Sequence, residues 1–300
     1  MNETRSAAGT GPVFRDYDQA ALDAQYNNRL KVPSYEDYLR RYHDDSVAVR
    51  QRWSDHALID VAVGDSAIER IDVFPPLDGA QSPAPVLVFI HGGYWLMLDK
   101  SEFSFVARGF AAHGIATVVI NYGLIPSVQM AEIVRQCRQA VAWTVANAAS
   151  FGGDPARVAV AGHSAGGHLT AMVGSDAWQP DRPLVAGYAI SGLHDLVPIS
   201  RCYLQQSLNL QPDEVSRFSP VRLGPPRAGH WLALVGGLEG PEYLRQSVDL
   251  VAAWQSAGER TVALQVASNH DHFSIVMALS DPVDPLTRMI AGDLRQRVAR

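Results

Sequence analysis

The pentapeptide Gly162-His163-Ser164-Ala165-Gly166 sets a serine between two glycines, each two positions away. Before it, residues 157–161 are short, apolar and β-branched, as a strand covered on both faces must be. After it, a helix-forming run begins at His168. A serine on such a strand-to-helix turn is a nucleophile held in a strained, exposed position. Small residues must flank the serine two positions either side, because a Cβ at 162 or 166 would collide with the neighbouring strand or helix. The helix that follows aims its N-terminus at Ser164, which favours a developing oxyanion.

A serine hydroxyl attacks poorly until a base takes its proton. Ten histidines are available. On a sheet of this kind the chain order is nucleophile, acid, histidine, the last two in loops after later strands. His272 sits in such a loop, in Ser268-Asn269-His270-Asp271-His272-Phe273, with His270 as its competitor. His91, His163, His168 and His194 also fall near strand ends and read as structural hydrogen-bonding groups. The acid belongs after the strand at 231–235, where Glu239 lies in the loop proper. Glu242, in the first turn of the next helix, Asp195 and Asp271 are the alternatives. Acyl transfer also needs preorganised N–H donors for the tetrahedral oxyanion. His91-Gly92-Gly93-Tyr94, ending an early strand, offers Gly93 and Tyr94, and Ala165 after the nucleophile offers a third.

These groups need a scaffold, and the chain supplies one. Residues 56–63 and 68–74 read as a β-hairpin around Gly64-Asp65-Ser66, and 75–85 as a turn-rich loop. Strands follow at 86–90, 115–121, 157–161, 184–190, 231–235 and 261–267. Helices are expected at 101–113, stopped by Gly114, at 128–149 with an apolar face, after the nucleophile, at 241–257, and from Phe273 onward. Residues 196–228, rich in proline, suit an irregular excursion over the strand ends. This alternation demands an α/β fold, a mostly parallel sheet of eight strands with helices on both faces. Function then collects at the carboxyl ends of the strands.

Residues 1–12 read as a disordered leader and 13–300 as a single domain. Within it, 13–55 form a helical arm carrying Tyr17, Tyr26, Tyr35, Tyr42 and Trp53, expected at 17–30 and 34–53 with Pro33 between. The arm packs against the main body, or part of it lids the site. A net charge of −6 argues against nucleic acid or an anionic membrane as partner. Cys137 and Cys202 make neither a disulfide framework nor a metal-ligand cluster, and Cys137 falls on an apolar helix face. With no secretory signal and no membrane-length apolar run, a cytoplasmic enzyme is expected.

With these residues in view, the sequence resembles the α/β-hydrolase superfamily, and within it the kynurenine formamidase (arylformamidase) group. The resemblance rests on His91-Gly92-Gly93-Tyr94-Trp95 as an HGGxW motif, on GHSAGGHL at 162–169 and on SGLHDL at 191–196. Pro241-Glu242-Tyr243, Arg245-Gln246-Ser247, Asp271-His272-Phe273 and the bacterial-type stretch from Leu22 to Arg29 extend it over most of the chain. It implies an α/β-hydrolase fold with Ser164 as nucleophile, His272 as base and Glu239 as acid, where eukaryotic members usually carry aspartate. No cofactor and no metal are implied. The substrate class implied is an aryl formamide such as N-formylkynurenine. A small-acyl ester, or a formamide or enamide from heterocycle breakdown, is the alternative, and a non-catalytic ligand receptor the remote one. The aromatic part of the substrate is expected against Tyr94, Trp95 or the N-terminal arm, with Trp95 and Tyr26 as substrate-binding residues. The partner expected is that small molecule, with no nucleic acid and no membrane, and with a homodimer entertained as the assembly.

Overall fold

The computed structural model describes residues 11–76, 83–178, 183–258 and 261–298. The segment read as a leader lies outside these except for its last two residues, and so does most of the loop read at 75–85. The N-terminal arm folds as α1 (Gln19–Tyr26), α2 (Asn28–Lys31) and α3 (Tyr35–Arg52). The segment expected as one helix over 17–30 breaks at Asn27, whose side chain accepts from Leu30 N–H and caps α2.

Eight strands then build the sheet: β1 (Leu58–Ala62), β2 (Arg70–Phe74), β3 (Ala84–Ile90), β4 (Ala116–Ile120), β5 (Gly153–His163), β6 (Ala186–Ile190), β7 (His230–Gly236) and β8 (Val262–Ala267). Their order is β1-β2-β4-β3-β5-β6-β7-β8. β1 and β2 pair antiparallel, as the hairpin reading expected, and β2 meets β4 antiparallel; every other neighbour is parallel. The helices between and after them are α4 (Val106–Ala111), α5 (Met130–Asn147), α6 (Ala165–Gly174), α7 (Leu196–Ile199), α8 (Gln205–Leu208), α9 (Pro212–Arg217), α10 (Pro241–Ser256), α11 (Ser274–Met277) and α12 (Pro285–Arg295).

β3 explains why its sequence is apolar throughout. Val86, Val88 and Ile90 join a core that includes α5 and α10, while Leu87 and Phe89 join a second core with α3, α4 and α12. Successive side chains of a strand point to opposite faces, so a sheet covered twice needs both sets apolar. The chain runs from β3 out to β4, then returns across β3 to β5. The order therefore reverses between β3 and β5, and the crevice beyond their carboxyl ends is where a doubly wound sheet binds its ligand.

The expected helix over 101–113 is two pieces, a 3₁₀ turn at Lys100–Phe103 and then α4. Two anchors tie the first piece down. Asp99 caps Ser101 N–H, and the buried Lys100 ammonium reaches Asp60 at 2.6 Å and Asp72 at 2.7 Å. The chain turns past Phe103 and Phe105, which pack on Tyr42 of α3. Gly114 ends the segment in the left-handed conformation, φ 71°. Among the described residues no helix is long and apolar enough to cross a membrane.

Candidate active site

Ser164 sits between β5 and α6 with φ 58° and ψ −117°, a conformation that costs a non-glycine residue about 1–3 kcal/mol. Its surroundings enforce it. Ser164 N–H donates to Ile190 C=O at 2.8 Å, and its own C=O accepts from His168 N–H at 3.0 Å. A Cβ on Gly162 would come within 2.3 Å of Gly166 O, and one on Gly166 within 2.0 Å of Ile90 O. Both collisions are with backbone, so neither can be relieved by a rotamer change. Gly166→Ala is therefore expected to cost about 3 kcal/mol. Calorimetry should read this as a melting temperature lower by about 6–12 °C. An unchanged melting temperature would mean that the turn is not held as tightly as this geometry says.

The turn after β3 is strained as well. Gly93, Tyr94 and Trp95 have φ of 116°, 53° and 59° in succession. Leu96 and Met97 N–H groups both donate to Gly93 O, at 2.9 and 3.1 Å, closing a tight turn. Gly92 lies against the serine: a Cβ there would stand 2.9 Å from His163 O and 3.3 Å from Ser164 Cβ. Beneath it His91 stacks on Tyr122 at 4.3 Å, its Nδ1 2.8 Å from Gly92 O and its Nε2 3.1 Å from Asn121 Oδ1. Asn121 is fixed in turn, donating to Asp99 at 2.6 Å. Burial pulls the basicity of His91 down. The serine, Gly93 and Tyr94 thus share one crevice, with Ala165 opening α6 beside them.

His272 and Glu239 meet there. His272 Nδ1 is 2.7 Å from Glu239 Oε2, and both side chains are almost wholly shielded from solvent. The other carboxylate oxygen accepts from Gly236 N–H at 2.7 Å and from Ser191 Oγ–H at 2.5 Å. Three donors thus fix the carboxylate, and Nε2 is the ring nitrogen left for the cavity that His272 and Ser164 both line. The imidazole is also flanked by the Tyr243 ring at 4.7 Å and the His163 ring at 4.6 Å, both tilted to it. Burial, and then the neighbouring His272, push His163 well below the ordinary histidine range.

The alternatives for acid and base are committed elsewhere. His270 Nε2 faces Asp284 at 3.8 Å, and Asp271 accepts the N–H groups of Phe273 and Ser274. Glu242 accepts from Tyr26 Oη–H at 2.8 Å and from Arg245. Asp195 caps Val197 N–H and lies 3.5 Å from Arg245. His168 donates through Nε2 to Phe218 C=O, and burial takes it down to about 4; burial takes His194 down to about 3. Cys137 is buried on α5, and burial pushes its thiol up.

The cavity has a volume of about 370 Å³. Its outer wall comes from the N-terminal arm, through Asn28, Arg29, Leu39 and Tyr42. Tyr26 and Trp95, expected at the substrate, do not line it. Both are wholly buried. Tyr26 is turned to Glu242 and Gln246, and Trp95 packs edge-on against His168 at 5.0 Å. Tyr94, also expected at the substrate, does line the cavity, together with Asn28 of the arm, and the two are tied together because Asn28 Nδ2–H donates to the hydroxyls of Tyr94 at 3.0 Å and Tyr243 at 2.7 Å. Among the described residues no group of three or more His, Cys, Asp or Glu side chains is arranged to hold a metal ion.

Comparison with known proteins adds the ancestry. The BD-FAE family model matches residues 71–181. Kynurenine formamidase of Danio rerio is 32% identical over 290 residues, spanning 92% of this chain and 97% of that one. The chain belongs to the kynurenine formamidase family. A solved structure described as a candidate thioesterase from Silicibacter sp. tm1040 superposes with a TM-score of 0.80 at 31% identity, covering 90% of this chain and 98% of that chain. Esterase B from Lactobacillus rhamnosis, at 16% identity and a TM-score of 0.67, covers 88% of this chain and 95% of its own. The esterase shares the fold alone; the family has the α/β-hydrolase architecture described above.

Sequence reasoning passed over two residues at this site. Ser191 lay inside the SGLHDL stretch without a role, yet it holds the carboxylate of Glu239. Tyr243 lay in Pro241-Glu242-Tyr243, and its ring flanks His272. A polar residue directly after β6, beside the strand that leads to Glu239, was the available signal for Ser191.

Proposed function

We propose that this chain is a serine hydrolase that removes a small acyl group from an amide through an acyl-enzyme, its substrate an aryl formamide such as N-formylkynurenine. The observation that carries the mechanism is the 2.7 Å contact between His272 Nδ1 and Glu239, with His272 and Ser164 lining the same cavity. Glu239 holds the proton on Nδ1, which leaves Nε2 unprotonated to receive the serine proton. Ser164 Oγ attacks the acyl carbon, and the N–H groups of Gly93, Tyr94 and Ala165 receive the oxyanion. His272 then gives its proton to the departing nitrogen, the C–N bond breaks, and the arylamine leaves. Water, deprotonated by His272, hydrolyses the formyl ester to formate and restores the serine. Removing one oxyanion donor costs such enzymes about 10²–10³ in turnover.

Two features support the substrate class: membership of the kynurenine formamidase family, and a cavity of about 370 Å³ whose walls are largely apolar side chains such as Leu39, Leu96 and Phe103. That volume is at the small end of ligand pockets and suits one aromatic ring with a short tail. The test is a hydrolysis panel on purified protein: N-formylkynurenine, an enamide and p-nitrophenyl acetate. We expect kcat/KM for N-formylkynurenine to exceed that for p-nitrophenyl acetate by at least about tenfold, a gap of 1.4 kcal/mol in transition-state binding. A preference for the ester would replace the amidase reading with a small-acyl carboxylesterase.

A further inference from the structure

We infer that Arg29 is a specificity-determining residue that binds a carboxylate on the leaving group of the substrate, an inference that rests on the aryl amide reading above. Among the described residues lining the cavity, Arg29 supplies the one permanent charge, and no aspartate or glutamate is among them. Arg29 is exposed to solvent while its side chain lines the cavity. It pairs with no carboxylate among the described residues, although the next charged residue of α2, Lys31, is turned away to donate to Gln25 C=O at 2.5 Å.

The guanidinium is nevertheless held. Its Nη2–H donates to Met97 Sδ at 3.4 Å, and its plane lies over the Tyr35 ring, 5.5 Å from the centroid. Neither contact uses up the charge: a thioether is a weak acceptor, and an aromatic face leaves most of the guanidinium donors free. Both contacts bias an otherwise exposed side chain toward one rotamer, which lowers the entropy lost when an anion arrives. Met97 also belongs to the turn that carries the oxyanion donors, through its N–H to Gly93 O at 3.1 Å. The cation is thus linked through Met97 to the turn that carries Gly93 and Tyr94. A substrate with a scissile amide at Ser164 and a carboxylate on its tail would meet both lining residues in one cavity, and a planar carboxylate can take two guanidinium N–H groups together.

The experiment reads binding without turnover, on Ser164→Ala protein. The probes are formamidobenzoyl propanoate, the analogue of N-formylkynurenine without its amino group, and the corresponding primary amide, which differs only in lacking the negative charge. Calorimetry should show the carboxylate binding about tenfold tighter than the amide, the worth of one charge-assisted hydrogen-bonded pair near solvent. Adding Arg29→Gln should erase the difference, Arg29→Lys should keep part of it, and raising the salt should shrink it in the arginine protein. A preference that survives Arg29→Gln, no preference at all, or no binding of the carboxylate would each overturn the assignment. Hydrolysis by the wild-type protein separates this from the parent reading. Aryl formamide turnover without an Arg29-dependent preference sinks the Arg29 assignment alone. The preference without turnover sinks the amidase reading and leaves an anion subsite.

Discussion

Ser164→Ala is expected to lower kcat by about 10⁶-fold while leaving the fold intact. Alanine keeps the Cβ and the backbone contacts of Ser164, including N–H to Ile190 O at 2.8 Å, so nothing but the hydroxyl is lost. His272→Ala should cost about as much, and the double variant should be no worse than either, because nucleophile and base act as one unit. Some rate above that in water should remain, since the oxyanion donors still polarise the carbonyl. A fluorophosphonate probe should label the wild-type protein and not the alanine variant. The strain adds a second readout. Ser164→Gly should be inactive yet more stable than Ser164→Ala, by about 1–3 kcal/mol, because glycine occupies φ 58° without penalty. Undiminished hydrolysis in Ser164→Ala would end the acyl-enzyme mechanism.

What the sequence disclosed follows from which interactions are local. β3 and β5 were legible because a strand covered on both faces must be apolar at every position, and no compromise with solvent blurs the pattern. The glycines at 162 and 166 were legible because a backbone collision allows no other residue. Glu239 and His272 could be ranked first because chain order and strand ends limit where an acid and a base can stand, and their rivals turn out to be engaged with Asp284, Arg245 and local N–H groups. The cavity wall was not legible. Which of two adjacent aromatics lines the cavity depends on a backbone twist, and with positive φ at both Tyr94 and Trp95 it is Trp95 that lies in the core. Tyr26 is drawn inward by Glu242 and Gln246, residues more than two hundred positions away. The break in the expected helix over 101–113 has the same origin, since the pull on Lys100 comes from Asp60 and Asp72 on neighbouring strands.

Glu239→Gln is expected to reduce kcat by about 10⁴-fold, and the reason lies in which oxygen does what. Oε1 accepts two hydrogen bonds, from Gly236 N–H and Ser191 Oγ–H, so a glutamine must keep its carbonyl oxygen there. Its NH₂ group then falls at the Oε2 position, 2.7 Å from His272 Nδ1. Two N–H groups cannot face each other, so the imidazole gives up its Nδ1 proton and carries it on Nε2. That nitrogen can no longer accept the proton of Ser164. Glu239→Asp keeps both the charge and the acceptors but retracts by one methylene, so it should lose far less activity than the glutamine variant. A residue that merely braced the loop would rank the two the other way, because glutamine preserves the length and shape that aspartate gives up. Melting temperatures measured beside kcat distinguish the cases. If Glu239→Gln turned over substrate as well as Glu239→Asp does, the carboxylate would not be what sets the tautomer of His272, and the base would have to be sought elsewhere.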